Sequence, residues 1–338
     1  MSARDARRRV RQRLVGLVAL PLSLLPVVAY FRFTGEGELL WSRARVAIAH
    51  PHVPALSTAD RQWAVGHAPT YSGGVAVLVY HGIGSRGDES AFSITPEQLA
   101  SQLAYLGAAG MHVVTARQVA DAFRLHEALP SRSVVLTFDD GRSEAMLWAD
   151  PLLAEAHAKA TMFVITTAAG SRGIFYAPWK QLRQYAASGR WDLESHTAAL
   201  HFRQDVADGR ALPALASLAP GESLATYTRR VQADLARASS ELEKEVGQRP
   251  VAFAYPFGAY GAERTNDAGV QGALASAVAR EYQLAFEQDD QLSVPLVTCS
   301  DDQLRLRRID VGHWSGRDLL LRLGRAAALT PTPTSCPS

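Results

Sequence analysis

Val134-Val135-Leu136-Thr137-Phe138-Asp139-Asp140-Gly141 is the most informative segment of this chain. An apolar run typical of a buried strand is followed by two adjacent carboxylates in a turn that ends in glycine. Neighbouring residues at the end of a strand point in different directions, so one carboxylate can bind a cation while the other remains free for acid/base work. The stretch therefore predicts a strand with reactive groups at its carboxyl end.

Two histidines follow on a short polar segment, Ser195-His196-Thr197-Ala198-Ala199-Leu200-His201. Aspartate and histidine can share a metal ion, and a second aspartate can handle protons, as hydrolysis of an amide or ester requires. A spacing of five residues does not stack two side chains on one helical face. The segment therefore predicts a loop or bent turn that brings both imidazoles inward.

These two segments resemble the NodB-type polysaccharide deacetylases, carbohydrate esterase family 4, whose first motif is a TFDDG run and whose second motif is a histidine pair. The family usually spaces its histidines by four, and the longer spacing here is similar to the subgroup that acts on poly-β-1,6-N-acetylglucosamine in biofilms. The resemblance covers roughly residues 70 to 325. Three further matching segments are Val79-Tyr80-His81-Gly82-Ile83, Phe92-Ser93-Ile94-Thr95-Pro96-Glu97-Gln98-Leu99 and Ala254-Tyr255-Pro256-Phe257-Gly258-Ala259-Tyr260.

The resemblance implies a role for each matching residue. Asp140, His196 and His201 would hold one divalent metal ion and leave coordination positions open, as in a catalytic site. Zinc is the default, although cobalt, nickel or iron suits the same donors. Asp139 would be the general base, and the backbone amide of Phe257 would stabilise the oxyanion. The residues expected to line the substrate groove are His81, Tyr255, Pro256 and Tyr260.

Two departures from the family pattern concern proton transfer. The third motif usually carries an arginine where this chain has Ala254, so the partner that tunes Asp139 must come from elsewhere or be absent. The late Leu-x-x-His motif is not evident, and His313 is the candidate substitute as general acid. Arg308 and Asp310 could equally form a structural ion pair.

Strand-like and helix-like segments alternate along the domain. Residues 75–79, 112–114, 134–138 and 161–165 read as strands, and residues 116–125 and 145–158 read as helices. Such alternation predicts a parallel α/β sheet with reactive residues at the carboxyl ends of the strands. The resemblance refines this expectation to a distorted (β/α)7-type barrel. An insertion is predicted over residues 202–225, followed by a long helix at 227–246.

A membrane segment is predicted near the amino terminus. Six arginines precede an uncharged run, residues 14–31, which approaches the ~30 Å hydrocarbon thickness and exceeds the usual core of a signal peptide. Positive charge favours the cytoplasmic side, so the domain would face outward as a single-pass membrane protein; secretion after signal cleavage is the alternative. The predicted segments are a basic cytoplasmic terminus (1–13), a transmembrane signal-anchor (14–31), a linker (32–70), the deacetylase domain (71–325) and a disordered tail (326–338).

Composition excludes several other classes. The chain of 338 residues is 47% hydrophobic and 20% charged, with a formal net charge of +2, so neither overall disorder nor nucleic-acid binding is expected. Cys299 and Cys336 are too few for a thiolate zinc site, and whether they pair stays open.

We expect N-deacetylation of an extracellular polysaccharide. The alternatives are peptidoglycan or chitin-like substrates, O-acetyl esters, a metal phosphoesterase, and an inactive glycan-binding partner of a polysaccharide synthase.

Overall fold

The computed structural model describes residues 35–84, 93–171, 175–288 and 294–331. The chain divides into two units, Met1–His50 and Pro51–Ser338, and the described part of the first contains helix α1 (Gly35–Ala49). The predicted membrane segment, residues 14–31, lies outside the described residues. Within the described ranges, no helix combines the length and the apolar character needed to cross a bilayer.

Strands and helices alternate through the second unit. The strands are β1 (Gly74–Tyr80), β2 (Gly82–Ile83), β3 (Ser93–Ile94), β4 (His112–Val114), β5 (Ser133–Phe138), β6 (Ala160–Val164), β7 (Trp191–Ser195), β8 (Arg203–Asp205), β9 (Ala211–Pro213), β10 (Ala252–Ala254), β11 (Leu284–Phe286), β12 (Val297–Thr298) and β13 (Ile309–Asp310). The helices are α2 (Thr58–Gly66), α3 (Pro96–Ala108), α4 (Ala116–Leu125), α5 (Ser143–Glu155), α6 (Trp179–Ala187), α7 (Leu224–Val246), α8 (Val270–Glu281) and α9 (Gly316–Leu329).

The main sheet curls into a barrel of parallel strands. Its order is β11-β10-β7-β6-β5-β1, and β13 pairs with the far side of β1. A parallel bridge between Phe286 and Leu306 brings the chain just before β13 alongside β11. Residues 306–310 therefore close the gap between the first and last strands of the sheet, and the α/β barrel expected from the sequence is confirmed.

The barrel strands are apolar because both of their faces are covered. All residues of β1 and β5 are buried, as expected of parallel strands packed between helices and a filled interior. Helix α4 packs with the inward-facing residues of the strands, and Val119 and Phe123 belong to the same core cluster as Val77 and Val135. The Ala116 amide donates to the Thr161 hydroxyl, and this bond fixes the start of α4 near the start of β6.

Helices α3, α4 and α9 begin with capping boxes. Thr95 caps α3 in a capping box with Gln98, and Pro96 occupies the first turn. Helix α2, within the predicted linker, belongs to the larger unit and is hydrogen-bonded to α3 and α9, since Asp60 accepts hydrogen bonds from Tyr105 (2.7 Å) and Arg317 (2.6 Å).

The predicted insertion forms a small antiparallel pair, β8 and β9, followed by the long helix α7. Cys299 is buried and disulfide-bonded, and the other cysteine of the chain, Cys336, lies outside the described residues.

Candidate active site

Asp139 lies at the carboxyl end of β5 and is buried. Its amide donates to the carbonyl oxygen of Tyr80, which continues the pairing of β5 with β1. The Arg308 guanidinium donates two hydrogen bonds of 2.7 Å, one to each carboxylate oxygen of Asp139. Burial alone would raise the pKa of Asp139, but the Arg308 guanidinium, through its charge and its hydrogen bonds, holds that pKa well below its usual range. Asp139 is therefore an ionised carboxylate in a buried position.

Asp140 points away from this ion pair because the backbone turns sharply. Asp140 (φ 72°) and Gly141 (φ 73°) both adopt the left-handed conformation, which aspartate tolerates better than most residues and glycine tolerates freely. The turn gives the two adjacent carboxylates the separate surroundings that the sequence predicts.

The two histidines of the second motif meet Asp140. Its Oδ1 atom lies 3.6 Å from His196 Nε2 and 3.3 Å from His201 Nε2. One ligand atom from each of the three residues lies within 4.8 Å of the others, so they could hold one metal ion. The structure thus brings together the three ligands expected from the sequence.

The surroundings of His196 prepare it to bind a cation. Its Nδ1 atom lies 2.7 Å from the Ala254 carbonyl oxygen, which can only accept, so Nδ1 carries the proton. Burial lowers the pKa of His196 to about 4, and the ring is neutral at pH 7. Nε2 then presents its lone pair beside Asp140, which is the tautomer that a metal ligand needs.

The loop between the two histidines is held by side chains from elsewhere. Thr197 adopts a left-handed conformation (φ 75°), which breaks the strand direction after His196. Asp234 of α7 then accepts hydrogen bonds from two successive amides, Ala198 (2.9 Å) and Ala199 (2.8 Å). The Thr166 amide donates to the Thr197 carbonyl. These bonds explain how a five-residue spacing directs both imidazoles to one point.

The third motif forms a strained turn beside His201. Phe257 has φ 58° and ψ 18°, a costly conformation for a bulky residue, and its ring lies 4.7 Å from that of His201. Gly258 follows at φ 67°, and a Cβ there would lie 2.3 Å from the Gln288 carbonyl oxygen, so only glycine fits. Among the described residues, no group accepts a hydrogen bond from the Phe257 amide. That amide is available for a ligand.

The other expected groove residues have different surroundings. Tyr255 and Pro256 are buried, and the Tyr255 hydroxyl donates to the Leu304 carbonyl, so their side chains support the turn from within. This differs from their expected position along the groove. Tyr260 is half-buried, with the Arg305 guanidinium 5.0 Å from its ring centroid.

His81, expected in the substrate groove, and His313, the candidate general acid, differ in position. His81 Nε2 lies 4.0 Å from Asp139 Oδ2, and the side chain is partly exposed. His313 is exposed, and the described part of the chain contains no hydrogen bond, ion pair or ring contact between its side chain and the site.

Two residues of the site were not identified from the sequence. Arg308 was left as a possible structural ion pair, yet it supplies the positive charge beside Asp139 that Ala254 cannot. Asp234 lies on a helix whose charged residues read as solvated surface. For Arg308 the available signal was the missing arginine of the third motif; for Asp234 we find no sequence signal.

Comparison with known proteins identifies the family. Residues 126–273 match the family described as polysaccharide deacetylase. The chain carries a polysaccharide deacetylase domain. The resemblance inferred from the two motifs is therefore confirmed.

The similarity of the deacetylase domain extends to named relatives. A poly-β-1,6-N-acetyl-D-glucosamine N-deacetylase of Escherichia coli K12 is 27% identical over 220 residues, which are 59% of this chain and 33% of that protein. The chain thus spans about a third of the length of this relative. One from Staphylococcus epidermidis is 25% identical over 230 residues, 67% of this chain and 74% of that protein. The structure of IcaB from Ammonifex degensii matches with a TM-score of 0.60 and 25% identity, over 74% of this chain and 97% of that one.

Proposed function

We propose that this chain hydrolyses the acetamido group of N-acetylglucosamine units in an extracellular polysaccharide, with poly-β-1,6-N-acetylglucosamine as the substrate and with the help of a divalent metal ion. The proposal rests on the convergence of Asp140, His196 and His201, whose ligand atoms lie within 4.8 Å of one another. The ionised Asp139 is adjacent in sequence, is paired with Arg308 and is not one of the three ligands. Water adds to the acetyl carbonyl, the carbon–nitrogen bond breaks, and the products are acetate and an amine.

Asp140, His196 and His201 would hold the metal ion, and their donor set fits zinc, cobalt, nickel or iron. When bound, such an ion supplies Lewis acidity toward the acetyl carbonyl and lowers the pKa of water. The fixed tautomer of His196 supports this role, since its Nδ1 proton is committed to the Ala254 carbonyl and Nε2 remains a donor of electrons.

The chain's own groups can perform the proton transfers. Asp139, kept ionised by Arg308, accepts the proton of the attacking water. The Phe257 amide donates to the oxygen that becomes negative when the carbonyl is attacked. We assign delivery of a proton to the leaving nitrogen to His81 rather than to His313, because His81 Nε2 lies 4.0 Å from Asp139 Oδ2 whereas His313 has no contact with the site among the described residues.

The choice of polysaccharide is supported by the names of the relatives and by the five-residue histidine spacing. Peptidoglycan and chitin-like glycans offer the same acetamido chemistry and remain to be compared directly. The reading as an inactive glycan-binding partner was motivated by the missing arginine of the third motif. The Arg308–Asp139 pair weakens that motive, because a positive charge is present at Asp139 from another part of the chain.

The location of the protein is part of the proposal. The arginine-rich terminus and the uncharged run at residues 14–31 favour a membrane anchor with the domain outside the cell, where a polysaccharide synthase would supply substrate. An amine exposed by each deacetylation can take up a proton, which would give a neutral glycan positive charge.

The decisive experiment measures acetate released from β-1,6-linked N-acetylglucosamine oligomers by the full-length protein, before and after treatment with a chelator. We expect release that stops on chelation and returns when zinc or cobalt is added. β-1,4-linked oligomers of the same length test the linkage, and Asp140→Asn is the matched inactive control. Bound oligomer without acetate release at any metal content would instead support the glycan-binding reading.

A further inference from the structure

The two sides of the metal-ligand cluster share a feature. An arginine follows Asp140 two residues later, and another follows His201 two residues later. The Arg142 guanidinium lies 4.9 Å from the centroid of the Phe175 ring, and the Arg203 guanidinium lies 4.7 Å from that of Phe257. Asp140 and His201 are therefore each followed, two residues later, by a cation that stacks on a phenyl ring.

The two phenyl rings differ in how much of them is covered. The Phe257 ring has the Arg203 guanidinium over it and the His201 ring 4.7 Å away, and the residue is half-buried. Phe175 is 45% exposed although Arg142 lies over its ring and Tyr176 contacts it edge-on at 4.8 Å. Of these two rings, Phe175 is thus the one that offers more aromatic surface to solvent.

The backbone fixes Phe175 beside the ligand cluster. The Ser143 amide donates to the Phe175 carbonyl (3.0 Å), and the Ala177 amide donates to the Gly141 carbonyl (2.9 Å). These bonds flank an antiparallel bridge between Arg142 and Tyr176. The phenyl ring is therefore carried by a segment that pairs with the residues directly after Asp140.

Arg142 connects this segment to the residue after His81. A Cβ on Gly82 would lie 2.9 Å from Arg142 Nη1, so the guanidinium packs directly onto the Gly82 backbone. A side chain at position 82 would displace Arg142 from Phe175. Arg142 thus contacts both the Phe175 ring and the backbone next to His81, and it links the segment of Asp140 to the segment of His81.

We propose that Phe175 is a stacking platform for a sugar ring of the polysaccharide, next to the N-acetylglucosamine unit that is being deacetylated; this subsite rests on the function proposed above. The axial C–H groups of a β-linked pyranose form an apolar face that packs on an aromatic ring. A single exposed phenylalanine is ordinary on a protein surface. This ring differs because its segment pairs with the residues directly after Asp140 and because the Arg142 guanidinium packs against the ring.

The platform is tested by binding, separately from turnover. Chelator-treated full-length protein is titrated with a β-1,6-linked N-acetylglucosamine pentamer in a calorimeter. We expect Phe175→Ala to weaken binding roughly tenfold, whereas Phe175→Trp retains it. Leu125→Ala, at an exposed position of the same kind (48%) at the end of α4, is the matched control and should bind as the unaltered protein does. Thermal unfolding checks that each variant is folded.

Kinetics of the metal-loaded protein give a second readout. Phe175→Ala should raise KM for the pentamer by a similar factor and affect kcat less, because the platform contacts a sugar beside the reacting unit and not the acetyl group itself. Unchanged pentamer binding by Phe175→Ala overturns the proposal. Weakened binding by Phe202→Ala alone also overturns it, since Phe202 is equally exposed (48%) and follows His201 directly. If the unaltered protein binds the pentamer through Phe175 but releases no acetate, the platform stands and the proposed hydrolysis fails.

Discussion

Arg308 donates two hydrogen bonds of 2.7 Å, one to each carboxylate oxygen of Asp139, although the two residues lie 169 positions apart in the sequence. Neither side chain is exposed to solvent beyond 2%. Arg308 also donates to the Thr137 hydroxyl and to the Glu287 carbonyl, which fixes the plane of its guanidinium. The pair therefore sets both the charge and the orientation of the carboxylate that we propose as general base.

Replacing Arg308 should affect stability and activity in separable ways. Arg308→Met leaves Asp139 buried without its cation, and we expect a loss of about 3–5 kcal/mol in the free energy of unfolding. Arg308→Lys keeps the charge but not the two parallel bonds, and kcat should fall about 10- to 100-fold. Urea denaturation and acetate release measure the two effects.

The neighbouring arginine is the control for these variants. Arg307 is 45% exposed and lies 3.7 Å from Glu287, so Arg307→Met should change stability by less than about 0.5 kcal/mol. The double variant Arg308→Met/Asp139→Asn should be more stable than Arg308→Met alone, because no buried charge is then left unpaired. Equal stability of the two would contradict the ion pair.

Asp234 should control metal affinity without touching the metal. Asp234→Ala removes the acceptor for the Ala198 and Ala199 amides, so the backbone conformation of the loop that carries His201 is no longer fixed by these bonds. We expect the affinity for zinc or cobalt to fall about 10- to 100-fold, as measured by competition with a chromogenic chelator. Glu243→Ala, on the same helix and 52% exposed, should leave affinity unaltered. An unaltered affinity for Asp234→Ala would falsify this role.

Metal binding should stabilise the folded domain. A ligand that binds only the native state at about 100 times its Kd adds about 2.7 kcal/mol to the free energy of unfolding. Thermal unfolding in zinc and in chelator measures this difference. Asp140→Asn should abolish the shift, whereas Asp121→Asn, at an exposed position on α4, should preserve it. A shift that persists in Asp140→Asn would show that the stabilising ion binds elsewhere.

Replacing His81 and His313 in turn tests which of the two delivers the proton to the leaving nitrogen. His81→Gln should lower kcat by a factor of about 10² to 10⁴, because the leaving amine loses its proton donor. His313→Gln should leave kcat within about twofold, since His313 is exposed and lacks contacts with the site in the described residues. The reverse pattern in acetate-release assays would return the role to His313.

The parts of the fold that could be predicted are those with a local signal. The run at residues 134–138 is apolar because β5 is buried on both faces, and helix α4 was predicted over residues 116–125, as observed. The predicted helix at 145–158 instead spans Ser143–Glu155, since a turn after Gly141 starts it earlier. The metal ligands could be predicted because their motifs are short and contiguous.

The remaining contacts depend on distant segments. Arg308 lies just before a two-residue strand, and only the closure of the barrel brings it to Asp139. Asp234 belongs to a helix with an ordinary amphipathic pattern, and its carboxylate is distinguished only by the loop that packs against it. Phe175 lies in a turn, and its position comes from the bridge between its neighbour Tyr176 and Arg142. Each of these contacts joins parts of the chain that no local pattern relates.

The closing strand has a consequence for the order of events during synthesis. Residues 306–310 are made after every other strand of the ring, and Arg308 arrives with them. A nascent chain that ends before these residues already contains Asp139, Asp140 and both imidazoles, but its Asp139 carboxylate lacks the Arg308 partner. The proposed general base thus gains its cation only once this last strand is in place, and we expect a truncated product that ends before Arg308 to be inactive.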